Sequence, residues 1–517
     1  MPVNNEYTPS VRELLDIGAE KFNKSTFIKY VRNGETEEKS FKDVQRDSKA
    51  VCRWIRNKSL SKMNVAIIGK TSYEYLIFFT GVLISGNVGV PFSPEISVEE
   101  AEQLFKRADI EMLFYSDEFS AKAEELKEKC PALKFCQNFD KLDEVSALYK
   151  NFSDSSEFAS LSDYEVDKDE CAVIIFTSGT TGVKKGVMLS TNALVGNIMY
   201  HDYCTDIFNE NDVSLSVLPM YHVYCFSGDY IKNLKDGLQV CLNENLKDIT
   251  ANLKRFEPKV IRVVPMIAQS LLQRVKMVQR RNPDMTPREA AEQVYGRNIK
   301  WLISGGAYLN PELIDEYAKF DIMLRQGYGM TEAGCRISVP DDRVSYESVG
   351  RVTDVCEVRV QHGEIQVNTP TRMIGYYKMP EATAEMFTSD GWLKTGDIGY
   401  LTDDNQLFIT GRVKNLIILS SGENVSPEAI EKKFGGIDLI SEVLVYAEND
   451  QIVAEFYPDF EYAKVDNISD IEATLEGIVD EANMTAKASH IISKIKVRTT
   501  PFEKTESGKI KRQRTVI

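Results

Sequence analysis

Short apolar runs alternate with longer amphipathic stretches in the first part of the chain, and this pattern predicts buried strands joined by helices. Residues 65–69 are predicted to form a buried strand, and residues 72–84 the helix that follows it, with Ser72 as N-cap. Residues 88–92 predict the next strand. Because a strand, a helix and a strand in this order favour parallel pairing, we expect a parallel sheet unit, and a second such unit from Cys171 onward.

A largely helical region is predicted for residues 264–296. Within it, Thr286 is a suitable N-cap, Pro287 fits the first helical position and Glu289 completes a capping box. Gly296 is suited to end that helix.

The pattern changes after Gly350, where short runs of alternating polar and apolar residues begin. Residues 357–360 and 364–367 are typical of strands with one buried face, which suits a small barrel or an antiparallel sheet. From Ser426 onward, helix-like stretches mix with strand-like runs such as residues 443–446. We therefore expect a separate small α+β domain at the C-terminal end.

The length, composition and net charge of the chain limit the classes of protein to which it can belong. With 517 residues the chain is too long for one compact core, and about two to four packed units are expected. Its 43% hydrophobic and 27% charged residues are those of an ordinary soluble protein. Seventy-eight acidic residues against 62 basic ones give a net charge of −16, which disfavours a nucleic-acid partner.

Cysteine use and the longest apolar run bear on the cellular setting. Nine cysteines without a C-x-x-C pair or a Cys/His cluster give little support to disulfides or to a structural zinc site. A reducing, cytoplasmic setting is therefore expected. The apolar run at residues 75–85 is about half the ~20 residues that a membrane-spanning helix needs, so we expect a core helix and at most peripheral membrane contact.

Hydroxyl residues, glycines and lysines crowd the segment after the apolar run at residues 172–175. Glycines let backbone N–H groups turn inward around an anion, hydroxyls donate to phosphate oxygens, and lysine supplies counter-charge. The order differs from the common phosphate loop G-x-x-x-x-G-K-[ST]. A surface hairpin is the alternative, but it leaves the run of hydroxyl residues unexplained. The predicted polyphosphate ligands are Thr177, Ser178, Gly179, Thr180, Thr181, Gly182 and Lys185.

A second motif places Tyr328 between Gly327 and Gly329, with Thr331 and Glu332 directly after it. An exposed aromatic ring between two glycines that permit tight turns makes a flat platform for a purine. The glycine spacing does not fit the dinucleotide motif G-x-G-x-x-G. A carboxylate beside a phosphate site suits a hard cation with oxygen ligands. A strand followed by a purely structural turn is the alternative.

Two further segments offer ligands for a nucleotide. Gly305 and Gly306 follow an apolar run, and such a glycine pair lets the backbone approach a ligand closely, although a plain strand-to-helix turn looks similar. Asp397 follows a turn, and its carboxylate can accept hydrogen bonds from both ribose hydroxyls or serve only as a turn former. Arg412 is either a ribose or phosphate ligand or half of a surface ion pair.

The C-terminal end carries Lys509 directly after Gly508. A lysine on a glycine-containing loop of a mobile domain can be brought into a site, where it supplies positive charge to a crowded phosphate. The alternative is a basic tail for RNA, lipid or an address signal. The preceding order of Lys504, Thr505 and Ser507 favours the catalytic interpretation.

Together these segments resemble the adenylate-forming superfamily of acyl-coenzyme A synthetases, peptide-synthetase adenylation domains and beetle luciferases. The resemblance spans almost the whole chain. In that family the first loop reads TSGTTGxPKG, and here Lys184 replaces the proline, which predicts a more mobile loop. The resemblance implies an α/β fold with a large N-terminal domain, residues 1–413, of two doubly wound sheets plus a small β-barrel. A small mobile α+β domain, residues 414–517, would follow a hinge at Lys414.

The resemblance also implies roles for individual residues. Tyr328 would pack on adenine, Thr331 would contact the α-phosphate, and Glu332 would help hold Mg²⁺. Lys509 would be the catalytic lysine. His222 would gate the acyl pocket, unless it is a core histidine. Further implied ligands of ATP, Mg²⁺ or coenzyme A are Thr181 at the metal, Gly305, Gly306, Ala307, Gln326, Gly327, Gly329, Asp397 and Arg412 at the nucleotide, and Gly422 at the pantetheine tunnel.

The reaction implied is attack of an organic carboxylate on the α-phosphorus of ATP, which leaves an acyl-adenylate and pyrophosphate. The thiol of coenzyme A would then displace AMP. Apolar and aromatic residues at positions 219–226 predict an acyl or aryl acid, and the closest family resemblance is to bacterial medium- or long-chain fatty acyl-coenzyme A ligases. The alternatives are transfer to a carrier-protein phosphopantetheine, luciferase-like oxidation, and a non-catalytic nucleotide or acyl sensor.

Overall fold

The computed structural model describes residues 8–58, 60–153, 166–177, 184–199, 207–420, 423–504 and 510–512. Two seven-stranded sheets, here called sheet A and sheet B, dominate the first 380 residues. The strands of sheet A, in spatial order, are Met323–Gln326, Trp301–Ser304, Val260–Val263, Val213–Ser216, Gln239–Leu242, Thr26–Arg32 and Glu35–Ser40. Every neighbouring pair is parallel except the last, which is an antiparallel hairpin.

Sheet B contains the first unit predicted from the sequence. Its strands, in spatial order, are Gly375–Tyr376, Lys185–Ser190, Cys171–Thr177, Val88–Phe92, Asn64–Ile68, Ile110–Tyr115 and Phe135–Asn138. Asn64–Ile68 and Val88–Phe92 pair in parallel, as expected. The expectation of a second parallel unit from Cys171 is wrong. Cys171–Thr177 adds to the same sheet, and the chain then folds back antiparallel as Lys185–Ser190.

Helices connect these strands and cover the sheets. In chain order the α-helices are Val11–Lys21, Phe41–Asn57, Tyr73–Ile84, Val98–Arg107, Ser120–Lys129, Leu142–Ser153, Thr191–Met199, Val223–Cys225, Lys232–Asp236, Ile249–Phe256, Pro265–Arg281, Pro287–Tyr295, Pro311–Ala318 and Pro380–Glu385. A π-helical turn, Phe226–Ile231, joins two of them. Short 3₁₀ turns are Asp117–Phe119, Leu246–Asp248, Thr331–Ala333 and Val413–Asn415.

The predicted helix signals are confirmed. Ser72 caps Tyr73–Ile84 by accepting the N–H of Tyr75, and every residue of that helix is buried, because it has no polar face to present to water. Thr286 forms the expected capping box, and Gly296 ends its helix with φ of +82°. Among the described residues, no helix is both long and apolar enough to cross a bilayer.

The main core lies between the two sheets. Alternate residues of strand Asn64–Ile68 in sheet B point to opposite faces of that sheet. Val65 and Ile67 belong to the cluster that also contains Leu215 of sheet A. Ala66 and Ile68 point the other way, into a second cluster on the far face of sheet B. A strand that is covered on both faces needs apolar residues at every position. This explains the continuous apolar run at residues 65–69 from which the strand was predicted.

The predicted all-β segment is a four-stranded antiparallel sheet with a two-stranded ribbon beside it. The sheet strands are Glu357–Gln361, Glu364–Asn368, Leu393–Leu401 and Leu407–Arg412, and the ribbon strands are Ser338–Val339 and Arg351–Val352. Arg351 bridges to Gln406, which connects ribbon and sheet. The small barrel expected here is an open one, because no pairing among the described residues joins its first strand to its last.

The C-terminal region is a small α+β unit with its own core. Its strands are Ile417–Ile418, Asn424–Val425, Ile440–Glu448, Gln451–Pro458 and Ile492–Val497, and its helical elements are Pro427–Glu431, Lys432–Phe434, Phe460–Val465, Ile471–Met484 and Ala488–His490. Val425, Phe434, Phe456 and Leu475 form part of a cluster that is separate from the main core. The predicted architecture, a large α/β part followed by a small α+β part, is therefore confirmed.

Candidate active site

The first predicted motif lies at the end of a hairpin in sheet B. Thr177 is the last residue of the first strand of this hairpin, and it pairs with Lys185, the first residue of the second strand. The loop residues predicted to bind phosphate, Ser178, Gly179, Thr180, Thr181 and Gly182, lie outside the described residues. The ammonium of Lys184, which replaces the family's proline, is 2.7 Å from a carboxylate oxygen of Glu100. The segment is a hairpin, as the alternative interpretation predicted. A hairpin can also present phosphate ligands, so phosphate binding stays a prediction.

A single tyrosine connects this hairpin to the second motif. The ammonium of Lys185 lies 4.7 Å from the ring centroid of Tyr376, a cation–π contact. The Tyr376 hydroxyl donates to Oε1 of Glu332 at 2.8 Å. Burial and the Glu332 carboxylate raise the pKa of Tyr376, which keeps the phenol a donor. The lysine predicted at the phosphates and the acid predicted at Mg²⁺ therefore contact the same tyrosine, one at its ring and the other at its hydroxyl.

The predicted metal ligands would fill only part of the coordination sphere of a magnesium ion. Among the described residues, no group of three or more His, Cys, Asp or Glu side chains could hold a metal. Mg²⁺ usually takes one or two protein carboxylates and completes its shell with water and substrate phosphates. Glu332 alone satisfies that requirement, and the second predicted metal ligand, Thr181, lies outside the described residues.

The glycines around Tyr328 serve close backbone packing rather than tight turns. A Cβ on Gly329 would lie 1.6 Å from the carbonyl oxygen of Cys335, and one on Gly327 would lie 3.1 Å from that of Ser338. Neither glycine has positive φ. The expectation of an exposed ring is wrong. Tyr328 is half-buried where residues 327–329 pack against residues 335–338.

Tyr328, Asp397 and Arg412 form one polar cluster. The Tyr328 hydroxyl donates to Oδ2 of Asp397 at 2.5 Å, and the Arg412 Nε lies 2.8 Å from Oδ1. Asp397 and Arg412 are direct partners across two antiparallel strands, which explains how fifteen residues of sequence separation become a contact. Burial and the Asp397 carboxylate raise the pKa of Tyr328. The three residues predicted at adenine and ribose are thus brought together.

The glycine turn after strand Trp301–Ser304 packs against an aromatic side chain. A Cβ on Gly305 would lie 2.9 Å from the Tyr224 ring, whose hydroxyl donates to the carbonyl of Ile303 at 3.0 Å. Gly306 has φ of +77°, which glycine adopts without strain. Gly306 is exposed and Ala307 half-exposed, so this turn presents backbone at the surface of the site.

The structure also shows the environments of two further predicted site residues, Gln326 and His222. The side chain of Gln326 is buried, and its Nε2 donates to the carbonyl of Ser348 at 3.1 Å. That contact ties the strand to a neighbouring segment. His222 is exposed, directly before helix Val223–Cys225, with its ring 4.6 Å from that of Tyr221. The core-histidine alternative is therefore wrong.

The remaining predicted residues, Gly422 and Lys509, lie outside the described residues. The chain on both sides of Lys509 is nevertheless attached to the small domain. Lys504 pairs with Ile510 in an antiparallel bridge, and the Lys504 ammonium lies 2.6 Å from Glu442. Beyond the lysine, the Arg512 guanidinium lies 2.5 Å from Glu431.

Sequence reasoning missed two features that the structure reveals. Tyr376 lies far along the chain from the motifs it connects, and its position carries no local signal. A buried ion pair between Asp229 and Arg262 lies close to Tyr224, and it was also unforeseen. An aspartate inside an apolar helical stretch and an arginine inside an apolar strand were the available signals.

Comparisons with known proteins agree with this fold. Residues 15–377 match the AMP-binding enzyme family, and residues 414–516 match the AMP-binding enzyme C-terminal domain. The chain is 26% identical over 425 residues to 4-coumarate–CoA ligase 3 of Arabidopsis thaliana, which covers 76% of this chain and 71% of that protein. It is 27% identical over 401 residues to long chain acyl-CoA synthetase 1 of Arabidopsis thaliana, which covers 64% and 60%.

Among solved structures, the anthranilate CoA ligase AuaEII in complex with anthranoyl-AMP superposes with a TM-score of 0.81 at 16% identity, over 99% of this chain and 97% of that one. That similarity is one of fold. The two seven-stranded sheets, the antiparallel sheet and the small C-terminal unit define an α/β protein of the adenylate-forming fold. The chain belongs to the AMP-binding enzyme family.

Proposed function

We propose that the protein is an AMP-forming acid–CoA ligase. A carboxylate would attack the α-phosphorus of ATP, pyrophosphate would leave, and coenzyme A would take the acyl group from the acyl-adenylate. The observation that carries the proposal is the meeting of Tyr328, Asp397 and Arg412 in one cluster, while Tyr376 joins Lys185 to Glu332. Positioning and charge stabilisation then supply most of the acceleration, without a protein nucleophile.

We propose the roles of single residues from the family resemblance. Asp397 would accept the ribose hydroxyls, and Tyr328 would pack on adenine. Lys185 would meet the phosphates and Glu332 the magnesium ion, which offsets phosphate charge when bound. Lys509 would be delivered by the small domain, with a hinge at Lys414. His222, exposed at the start of its helix, would stand at the mouth of the acid pocket.

We propose an acid with an apolar tail, a fatty acid as the sequence resemblance implies. An aryl acid is the second candidate, and the position of Tyr224 favours it. That ring lies against Gly305 and is held by its hydroxyl, so a compact flat acid beside the glycine turn would stack on it. Relatives named for 4-coumarate and for long-chain acids are both consistent with an apolar tail.

The reaction is tested by acid-dependent exchange of labelled pyrophosphate into ATP, over straight-chain acids of increasing length and a set of aryl acids. We expect exchange with at least one of these acids. Lys509→Ala should lower the exchange rate by about 100-fold or more while ATP still binds, because transition-state charge is left uncompensated. Lys511→Ala is the matched control, since that lysine is paired with Glu503 instead. A protein that binds ATP but exchanges no acid would support the sensor alternative.

The acceptor is tested separately, with a preformed acyl-adenylate. We expect the thioester of free coenzyme A to form faster than that of a phosphopantetheinylated carrier protein. The reverse order would favour the carrier-protein alternative.

A further inference from the structure

The segment that follows the glycine turn of the candidate site contacts the small C-terminal unit. Tyr308 comes directly after the turn at residues 305–307, and the ammonium of Lys432 lies 4.6 Å from its ring centroid. The same ammonium donates to the carbonyl of Ile409 at 2.8 Å, on a strand of the antiparallel sheet. Because Lys432 begins the 3₁₀ turn Lys432–Phe434, one side chain of the small unit binds two separate segments of the large part.

Two glycines next to this lysine let the two parts pack closely. A Cβ on Gly435 would lie 2.9 Å from Nδ2 of Asn310, and a Cβ on Gly436 would overlap the carboxylate of Glu312. Gly436 also has φ of +84°, which glycine adopts without strain. Asn310 is the N-cap of helix Pro311–Ala318, so the small unit rests on the first turn of that helix.

The element that makes this contact also holds the last described residues of the chain. Glu431 directly precedes Lys432, and its Oε2 lies 2.5 Å from Nη2 of Arg512. The other carboxylate oxygen of Glu431 accepts the N–H of Val445 at 2.7 Å, and Arg512 Nη1 donates to the Val445 carbonyl at 3.2 Å. Arg512 follows Lys509 by three residues. The chain next to Lys509 is therefore fixed to the element that contacts the large part.

The described flanks of the glycine loop implied at the pantetheine tunnel take no part in this contact. Ile418, on the strand before that loop, is 67% exposed. The N–H of Ser420 donates to Oδ1 of Asp450 at 2.7 Å, which is a contact within the small unit. This arrangement of the two parts therefore favours the step that Lys509 would serve over the step that the glycine loop would serve.

We propose that Lys432 is a positioning residue for the first half-reaction, which holds the small unit on Tyr308 and the Ile409 carbonyl in the arrangement that forms the acyl-adenylate. This inference rests on the proposed function, because it assumes that the adenylate and the thioester form in separate steps. Lys432 acts through Glu431 and Arg512 rather than on the reacting atoms. Removing its charge removes two contacts that stabilise one arrangement, so other arrangements of the small unit become more populated.

The test measures the two half-reactions separately in the full chain. Acid-dependent exchange of pyrophosphate into ATP reports the first, and thioester formation from a preformed acyl-adenylate and coenzyme A reports the second. Lys432→Met keeps the apolar stem and removes the ammonium. We expect the exchange rate to fall by about tenfold or more, whereas the thioester rate should not fall. A merely structural role would lower both rates together, because the folded fraction would decrease.

Two further variants show whether the contact with Tyr308 carries the effect. Lys433→Met is the matched control, since the Lys433 ammonium donates to the Ala482 carbonyl at 3.1 Å within the small unit, and it should change neither rate. Tyr308→Leu should also lower the exchange rate. Combined with Lys432→Met, it should lower that rate by less than the product of the two single factors, because both variants break the same contact.

A glycine substitution tests the close packing without removing a charge. Gly436→Ala forces the Glu312 side chain out of its place and strains a positive φ. Gly391→Ala is the matched control: its φ is +85°, and no atom of the described chain lies within 4 Å of the added Cβ. We expect the exchange rate to fall in Gly436→Ala but not in Gly391→Ala, with the thioester rate retained in both.

Three results would overturn the proposal: a wild-type exchange rate in folded Lys432→Met, an equal loss in both half-reactions, or the same shift in Lys433→Met. If Lys432→Met does not fold, the comparison of Gly436→Ala with Gly391→Ala decides, and equal exchange rates in those two variants would overturn it. Failure of the wild-type protein to exchange pyrophosphate with any acid would instead refute the proposed function.

Discussion

Two aspartate–arginine pairs in this protein have nearly the same geometry and opposite relations to water. In the nucleotide cluster, Arg412 lies 2.8 Å from Asp397 and its side chain is 49% exposed. At sheet A, Arg262 lies 2.6 Å from Asp229 and its side chain is 5% exposed. Both aspartates are buried, so the difference lies in the arginine.

That difference determines what each pair can do. A half-exposed guanidinium exchanges its partner for water or a ligand at little cost, so Arg412 and Asp397 can turn to a ribose. A sealed pair has no water to replace a lost partner, so breaking it leaves an uncompensated charge. The half-exposed pair Asp397–Arg412 therefore suits a site that binds and releases a ligand. The buried pair Asp229–Arg262 suits a fixed structural contact.

The largest effect should come from breaking the sealed pair. Asp229→Ala should lower the free energy of unfolding by about 3–5 kcal/mol, because Arg262 stays buried and loses the carboxylate that balances its charge. Denaturant unfolding measures this change. A loss below about 1 kcal/mol would mean that water reaches Arg262 and that the two pairs do not differ as described.

The next largest effect is on catalysis, through the open pair. Asp397→Ala should reduce kcat/KM for ATP by about 100-fold, since two hydrogen bonds to a charged acceptor are lost. Steady-state kinetics at saturating acid measure the change. Asp390→Ala is the control: it removes an aspartate paired with Arg359 at 2.7 Å, away from the cluster, and should leave kcat/KM unchanged. Equal losses in the two variants would contradict the assigned site.

Removing the exposed arginine sharpens the contrast. Arg412→Ala should reduce kcat/KM for ATP by about tenfold, as expected for one charge-assisted hydrogen bond. Its effect on the free energy of unfolding should stay within about 1 kcal/mol, because the side chain is half in water. The same unfolding and kinetic measurements apply. A destabilisation as large as that of Asp229→Ala would remove the distinction between the pairs.

The smallest effect concerns the tyrosine between the two loops. Tyr376→Phe keeps the ring under Lys185 and removes the hydrogen bond to Glu332, so the exchange rate should fall about threefold to tenfold. The control is Tyr377→Phe, whose hydroxyl binds Asp109 at 2.7 Å instead. Exchange rates at limiting and saturating Mg²⁺ check this prediction, and identical rates in the two variants would count against the assigned role.

Local features were predictable because their signals lie within a few residues. The Ser72 cap, the Thr286 capping box and the strand at 443–446 follow from caps, periodicity and turns, and all are present. Asp397 and Arg412 were assigned separately to the same ligand. Their contact required only that two neighbouring strands pair antiparallel.

Long-range placement was not predictable from one sequence. Cys171–Thr177 pairs with Val88–Phe92, about 80 residues earlier in the chain, and no local signal chooses that sheet edge over a new sheet. Tyr376 reaches Glu332 through such a pairing, since its strand joins the edge of sheet B. Asp229 meets Arg262 only because a helix lies across sheet A. Contacts of this kind depend on how whole sheets pack.

The most direct test of the account is to identify the phosphorus products by ³¹P NMR when the protein consumes ATP in the presence of an acid that supports exchange and coenzyme A. We expect AMP and pyrophosphate in equal amounts, together with one thioester for each AMP. ADP and orthophosphate as the products would contradict it.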